Sequence, residues 1–117
     1  MCNLAIAAGA TYVARGTVYH IHQLIGLIAG GIAHHGFSVI EVLAPCPIQF
    51  GRRNAMPSPA DMFRQAQKAT VPIRGAQLDP EAVRERAVRG LLLKVDRPEF
   101  TAQYEAMIRR SQEDTNG

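Results

Sequence analysis

Few residues in this 117-residue sequence have the chemistry to act on something else. The two cysteines, Cys2 and Cys46, are too few to define a disulfide framework. Cys46 stands between Pro45 and Pro47, and a lone cysteine is most often a small buried apolar side chain. Of the four histidines, His20 and His22 are two positions apart and point to roughly opposite sides of a helix, so they do not converge on one metal. His34 and His35 precede Gly36, where cationic groups suit the negative end of a helix dipole. Arg52 and Arg53 are adjacent and can hold a phosphate or carboxylate through charge-assisted bonds, form salt bridges at a subunit junction, or simply meet solvent. Glu41 is alone within an apolar run. It is either a functional carboxylate with a shifted pKa or a paired one, and we assign it no catalytic role. The sequence contains no Ser-His-Asp arrangement, no H-E-x-x-H pattern and no phosphate-cradling glycine loop.

The elements that must carry these residues fall into three textures. Up to Pro45 the chain is apolar, with only Arg15 and Glu41 charged. The segment ATYVA, Ala10 to Ala14, reads as a short strand bounded by Gly9 and Gly16. Thr17 then caps a helix whose Ile21, Leu24, Ile25, Ile28 and Ile32 keep a helical period. Gly26, Gly30 and Gly31 weaken that helix by up to about 1 kcal/mol each, so close packing on a neighbour or a partner is expected there. Gly36 serves as its C-terminal glycine.

FSVIEVL, Phe37 to Leu43, is apolar on both faces, as strands of parallel sheets are. Strand, helix and strand predict a βαβ crossover, with the further strands of the sheet coming from elsewhere. From Cys46 the chain is irregular and rich in Pro, Arg and Gln. Ser58-Pro59 starts a helix to about Ala69 with Met62, Phe63 and Ala66 on its apolar side, and Asp79-Pro80 starts another to about Val88. Gly90 to Val95 is expected as an edge strand or an extended tail segment. Pro98 or Thr101 opens a last helix bearing Phe100, Tyr104, Met107 and Ile108, and a disordered tail follows from Gln112.

Composition removes several classes. Hydrophobic residues at 47% and charged residues at 20% describe a globular chain rather than a disordered one. The net charge of +3 is not gathered into a basic stripe interleaved with aromatics, so no nucleic-acid partner is expected. The apolar stretch Leu24 to Ala33 is half the roughly twenty residues that a membrane span needs, and no secretory signal is visible. No membrane partner is expected, and the cytoplasm is the expected location.

The stretch from Gly9 to Asn54 (GATYVAR at Gly9 to Arg15, the GFSVIEVL strand, and the PCP turn followed by GRRN) resembles the β subunit of 2-oxoacid:ferredoxin oxidoreductases of the 2-oxoglutarate type. RPEFTAQYEAMI, Arg97 to Ile108, resembles that family's C-terminal end. The resemblance implies an enzyme that decarboxylates a 2-oxoacid on thiamine diphosphate with Mg2+. Such an enzyme passes electrons through iron–sulfur clusters to ferredoxin and forms an acyl-coenzyme A. It also implies that Cys46, the cysteine in the turn after this strand, is one thiolate ligand of a [4Fe-4S] cluster. Pro45 and Pro47 would stiffen that turn, and backbone amides would tune the cluster. Two residues on, where the family commonly has Thr, this chain has Ile48; Cys2 matches no ligand position.

The family's GDGD-type segment with its following Asn, and the CxxC and further Cys that hold the rest of the cluster, are not among these residues. The expectation is therefore a C-terminal portion of a β subunit, inactive in isolation. It is expected to be oligomeric, with the α subunit and the remaining half of the β subunit as partners. The expected fold is α/β. Residues 1–50 form the βαβ part of a thiamine-diphosphate-binding-type parallel sheet, 51–111 a mostly helical extension, and 112–117 the disordered tail. A small non-catalytic α/β interaction module is the alternative.

Overall fold

The computed structural model describes residues 1–56, 58–74 and 86–115. Along them run a short helix α1 (Cys2–Ala7), strand β1 (Tyr12–Thr17), a 3-10 turn (Val18–His20) leading into α2 (Ile21–Ala33), and strand β2 (Ser38–Leu43). A single π-helical turn (Pro47–Gly51) follows, then α3 (Pro59–Lys68), β3 (Thr70–Pro72), β4 (Ala87–Lys94) and α4 (Phe100–Thr115). The strands form one sheet in the order β2-β1-β4-β3. β1 and β2 are parallel, with Tyr12 opposite Ser38 and Thr17 opposite Leu43, and α2 is their crossover, so the βαβ unit is present. β4 runs antiparallel to β1 and parallel to β3, which makes the α/β sheet mixed rather than wholly parallel.

Side-chain alternation along β1 feeds two cores. On one face Val13 packs with Cys2, Ala10, Val39, Leu92 and Leu93 beneath α1. On the other, Tyr12 and Ala14 pack with Leu27 and Ile40 beneath α2. Two of the helical glycines are explained by this second core. A Cβ on Gly31 would stand 2.7 Å from Ile40 Cδ1, and one on Gly30 2.7 Å from Tyr12 Oη, so both allow α2 to lie close to the sheet. Tyr12 Oη donates to the Leu27 carbonyl at 2.8 Å, and Ser38 Oγ donates to that of Gly31 at 2.8 Å. Gly26 faces open space.

Several boundaries differ from the sequence-based expectation. β1 begins at Tyr12 and includes Gly16 instead of ending before it, because pairing with β2 carries the strand on to Thr17. Gly16 is where Leu24 presses closest, its Cδ1 2.7 Å from a would-be Cβ. Thr17 caps as expected, its Oγ1 accepting from the His20 amide, although the first turn it caps is 3-10. α2 closes at Ala33, and Gly36, at φ +150°, belongs to the entry into β2. α3 matches expectation, with Ser58 Oγ accepting the Asp61 amide and Pro59 at the first turn.

The helix expected over Asp79 to Val88 lies outside the described residues, except Arg86 to Val88, of which Ala87 and Val88 are strand. The segment expected as an edge strand or an extended tail, Gly90 to Val95, is mostly within β4; Gly90 to Lys94 pair with β1 on one side, while the preceding Ala87 to Arg89 pair with β3. α4 runs through Gln112 to Thr115, where a disordered tail was expected.

Two glycine substitutions separate these roles. Gly36→Ala forces an L side chain into positive φ and against the Thr11 hydroxyl and His34 ring, which costs about 1–3 kcal/mol. Gly26→Ala meets nothing and stabilises α2 by about 0.5–1 kcal/mol. Urea denaturation followed by circular dichroism should move the midpoints in opposite directions.

Candidate functional site

Cys46 sits three residues beyond the end of β2, in extended conformation, as the N-cap of the π turn. That position decides what its sulfur meets. The first amides of the turn lack partners within it, and the Cys46 carbonyl takes those of Phe50 at 3.1 Å and Gly51 at 3.0 Å. The Gln49 amide points instead at Cys46 Sγ, 3.4 Å away. The Gln49 amide, with smaller help from those of Phe50 and Ile48, holds the thiol below its usual pKa. The side chain is exposed. An accessible sulfur whose anion is stabilised by N–H donors favours the thiolate, the form that binds metals.

Next to the sulfur lies a cleft of about 440 Å³, walled by Val42 to Cys46 and Phe50 on one side and by Met62, Gln65 and Ala66 of α3 with its C-cap Ala69 on the other. α3 is seated by two contacts. Gly51 is buried beneath Met62, whose Sδ would stand 2.9 Å from a Cβ there. The Phe63 ring meets Tyr19 of the 3-10 turn, with centroids 5.2 Å apart.

Glu41 is paired. It stands opposite Arg15 in the β1–β2 register, and Arg15 Nε donates to its Oε2 at 2.8 Å. The Cys2 thiol donates to the same oxygen at 3.0 Å. That thiol hydrogen bond, with the Arg15 bond and charge, lowers the Glu41 pKa against the opposing effect of burial. Burial in turn raises the pKa of the Cys2 thiol, which has no solvent exposure. Arg15 also donates through Nη1 to the Val88 carbonyl at 3.1 Å, so one guanidinium joins three strands.

The histidines are dispersed. His20 Nδ1 lies 2.8 Å from Thr17 Oγ1, and burial, with Arg89 nearby, lowers its pKa. His34 Nε2 is 2.9 Å from Thr11 Oγ1, while His22 and His35 are exposed. No group of three His, Cys, Asp or Glu side chains able to hold a metal occurs among the described residues. Arg52 and Arg53 are exposed just after the π turn, and no ion pair joins either to another described residue. No helix among the described residues is long and apolar enough to cross a membrane. Inspection of residue types overlooked Arg15 and the amide of Gln49. Placing Arg15 opposite Glu41 on parallel strands would have found the first. The second depends on a turn geometry that no side chain announces.

The two thiols should differ sharply towards iodoacetamide. Cys46 reacts in the native protein with a half-maximal pH below the usual thiol value of about 8.5, whereas Cys2 reacts only on unfolding; peptide mass mapping across pH checks this. Because the folded pKa of Glu41 is lowered, its contribution to stability is complete above the unfolded carboxylate pKa and is lost as pH falls through the lower folded value. Glu41→Gln should therefore flatten the acid limb of a stability–pH curve measured by urea denaturation.

No family model matches the chain. Over 111 residues, 94% of its length, it is 38% identical to the 2-oxoglutarate synthase subunit KorB of Methanocaldococcus jannaschii, and the match covers 41% of that protein. Over 44 residues, 38% of its length, it is 48% identical to the β subunit of 2-oxoacid:ferredoxin oxidoreductase 2 of Aeropyrum pernix, of which 14% is covered. A solved structure of 2-oxoglutarate:ferredoxin oxidoreductase from Magnetococcus marinus, with 2-oxoglutarate, coenzyme A and succinyl-CoA bound, matches with TM-score 0.72 at 23% identity, over 95% of this chain and 38% of that one. At that identity the likeness is one of fold. The chain spans about two-fifths of the length of the curated relatives that it matches along most of its residues. That similarity, extending from the first strands into the last helix, is to 2-oxoglutarate synthase subunits and 2-oxoacid:ferredoxin oxidoreductase β subunits.

Proposed function

We propose that the chain is the C-terminal part of the β subunit of a 2-oxoacid:ferredoxin oxidoreductase, with 2-oxoglutarate as the 2-oxoacid. The complete enzyme would decarboxylate its substrate oxidatively to an acyl-coenzyme A and deliver the electrons to ferredoxin. Cys46 would be this chain's contribution, one thiolate ligand of a [4Fe-4S] cluster. The observation that carries the reading is the exposed Cys46 sulfur facing the Gln49 amide. An iron–sulfur ligand has to be deprotonated, and N–H donors to its sulfur favour the added electron density of the reduced state. The donor set therefore fits one corner of a cluster and no more. A bound cluster would supply one-electron transfer. The residues here would hold and orient one sulfur, with the apolar walls of the adjoining cleft limiting water on one side.

Thiamine diphosphate and Mg2+ are assigned to no residue of this chain, since the GDGD-type segment with its following Asn is not among these residues. They would reside with the rest of the β subunit, and the α subunit, ferredoxin and coenzyme A complete the proposed partners in an oligomeric assembly. Two free thiols suit the reducing conditions of the cytoplasm, where we place the enzyme.

The test is anaerobic reconstitution of the complete β subunit, with iron and acid-labile sulfide measured per subunit. Cys46→Ala should lose the cluster or retain it only as a three-iron form, with the visible charge-transfer absorption falling in step. Equal iron and sulfide in the two proteins would sink the ligand assignment. The isolated chain should show no magnesium-dependent thiamine diphosphate binding by titration calorimetry.

A further inference from the structure

The charges of this chain are distributed unevenly. It has thirteen basic and ten acidic residues. Between Cys46 and Ala69, Arg52, Arg53, Arg64 and Lys68 stand against Asp61 alone, while nine of each sign balance elsewhere, so the whole net charge of +3 falls in this stretch. The fold gathers it beside one residue. Arg52 closes the π turn that Cys46 begins, and Arg53 follows it. A groove lined by Asn54 to Met56 joins this corner to Arg64 and Lys68, one turn apart on α3, and shares Gln65 with the cleft beside the sulfur. All four basic residues are exposed, and of them only Arg64 is ion-paired to a described residue, Asp61. On the turn itself the surface is apolar, with Ile48 65% and Phe50 52% exposed next to Cys46. An apolar patch flanked by polar and charged groups is the anatomy of a protein-docking surface.

We propose that this face, Ile48 and Phe50 flanked by Arg52, Arg53, Arg64 and Lys68, docks an acidic electron-carrier protein, a ferredoxin of negative surface, beside Cys46. The proposal rests on the electron-delivery reading above and assigns it a surface. Charge of one sign speeds encounter with a partner of the other sign and sets its orientation. Arginines suit the task, since each can hold a carboxylate through two parallel bonds. The exposed apolar pair then meets the carrier where it comes nearest the sulfur. The contact need not be large, because electron-transfer encounters bury less than roughly 1,200 Å². A nucleic acid suits the face less well: it includes the Asp61 carboxylate and offers one ring beside the turn, where a strand-tracking groove stacks successive bases.

The test is steady-state kinetics of the complete enzyme with 2-oxoglutarate and coenzyme A. An acidic ferredoxin is the acceptor, and methyl viologen, which needs no docking surface, is the control. Arg52→Glu with Arg53→Glu should raise the KM for ferredoxin about tenfold or more and leave viologen reduction unchanged. Arg52→Gln with Arg53→Gln should raise it less, and decides the matter if the reversed charges disturb folding. In the parent enzyme kcat/KM for ferredoxin falls as salt is added, and the reversed variant loses most of that slope. Arg109→Glu with Arg110→Glu, the same charge change on α4, should leave the ferredoxin KM as it was. Several outcomes overturn the proposal: a KM indifferent to the reversal, a salt-independent kcat/KM, or an equal rise from the α4 variant. So do a loss of viologen reduction in both the Glu and Gln variants, and a KM for coenzyme A that rises instead. A Cys46→Ala protein that keeps its iron sinks the ligand assignment without touching the salt-dependent KM. An unchanged KM beside Cys46-dependent iron removes the docking surface alone.

Discussion

Everything described here hangs from strand β1. It is paired in parallel with β2 on one side and antiparallel with β4 on the other, and its alternating side chains supply the centre of both cores. Arg15 reinforces this position by reaching a carboxylate on β2 and a carbonyl on β4 from a half-buried place between them. A guanidinium is suited to this because its donors fan out in one plane and remain charged at any ordinary pH. Removing the charge would leave Glu41 facing only the Cys2 thiol and a distant amino terminus, a poor setting for a carboxylate withdrawn from water.

How much of this could be read in advance divides by the range of the interaction. The crossover was legible because its signals are local and strong: the Thr17 cap, the period of the isoleucines, and the β-branched run of β2. The N-terminus of α3 was equally plain, as Ser58 and Pro59 act on their own backbone. β4 was legible only in part: Gly90, at φ +125°, and a register shift opposite Val13 and Ala14 disguise a strand whose place depends on residues more than seventy positions earlier, and its first residues, Ala87 and Val88, were read as the end of a helix. The tail from Gln112 was expected to be disordered as a chain terminus, yet helix propagation carries it to Thr115.

The candidate ligand was half legible. That Cys46 lies in a turn after a strand followed from the flanking prolines, and the expectation that it is a ligand came from the resemblance to a known family. Its chemistry comes from neither. The amides that stabilise its anion belong to Gln49, Phe50 and Ile48, residues whose side chains contribute nothing to the effect. For the same reason Ile48 can stand where the family commonly has Thr without loss of these donors. Backbone groups oriented by a turn are invisible to any inspection of residue types.

Gly51 has a mechanical consequence. With only a hydrogen where other residues carry carbon, it lets the Met62 sulfur rest on the turn, while the Cys46 carbonyl accepts the Gly51 amide from the other direction. The Cys46 sulfur is thereby geared to α3, and through Phe63 and Tyr19 to the junction of β1 and α2. A shift of that helix would displace the sulfur with it, so whatever presses on α3 from outside also sets the aim of Cys46.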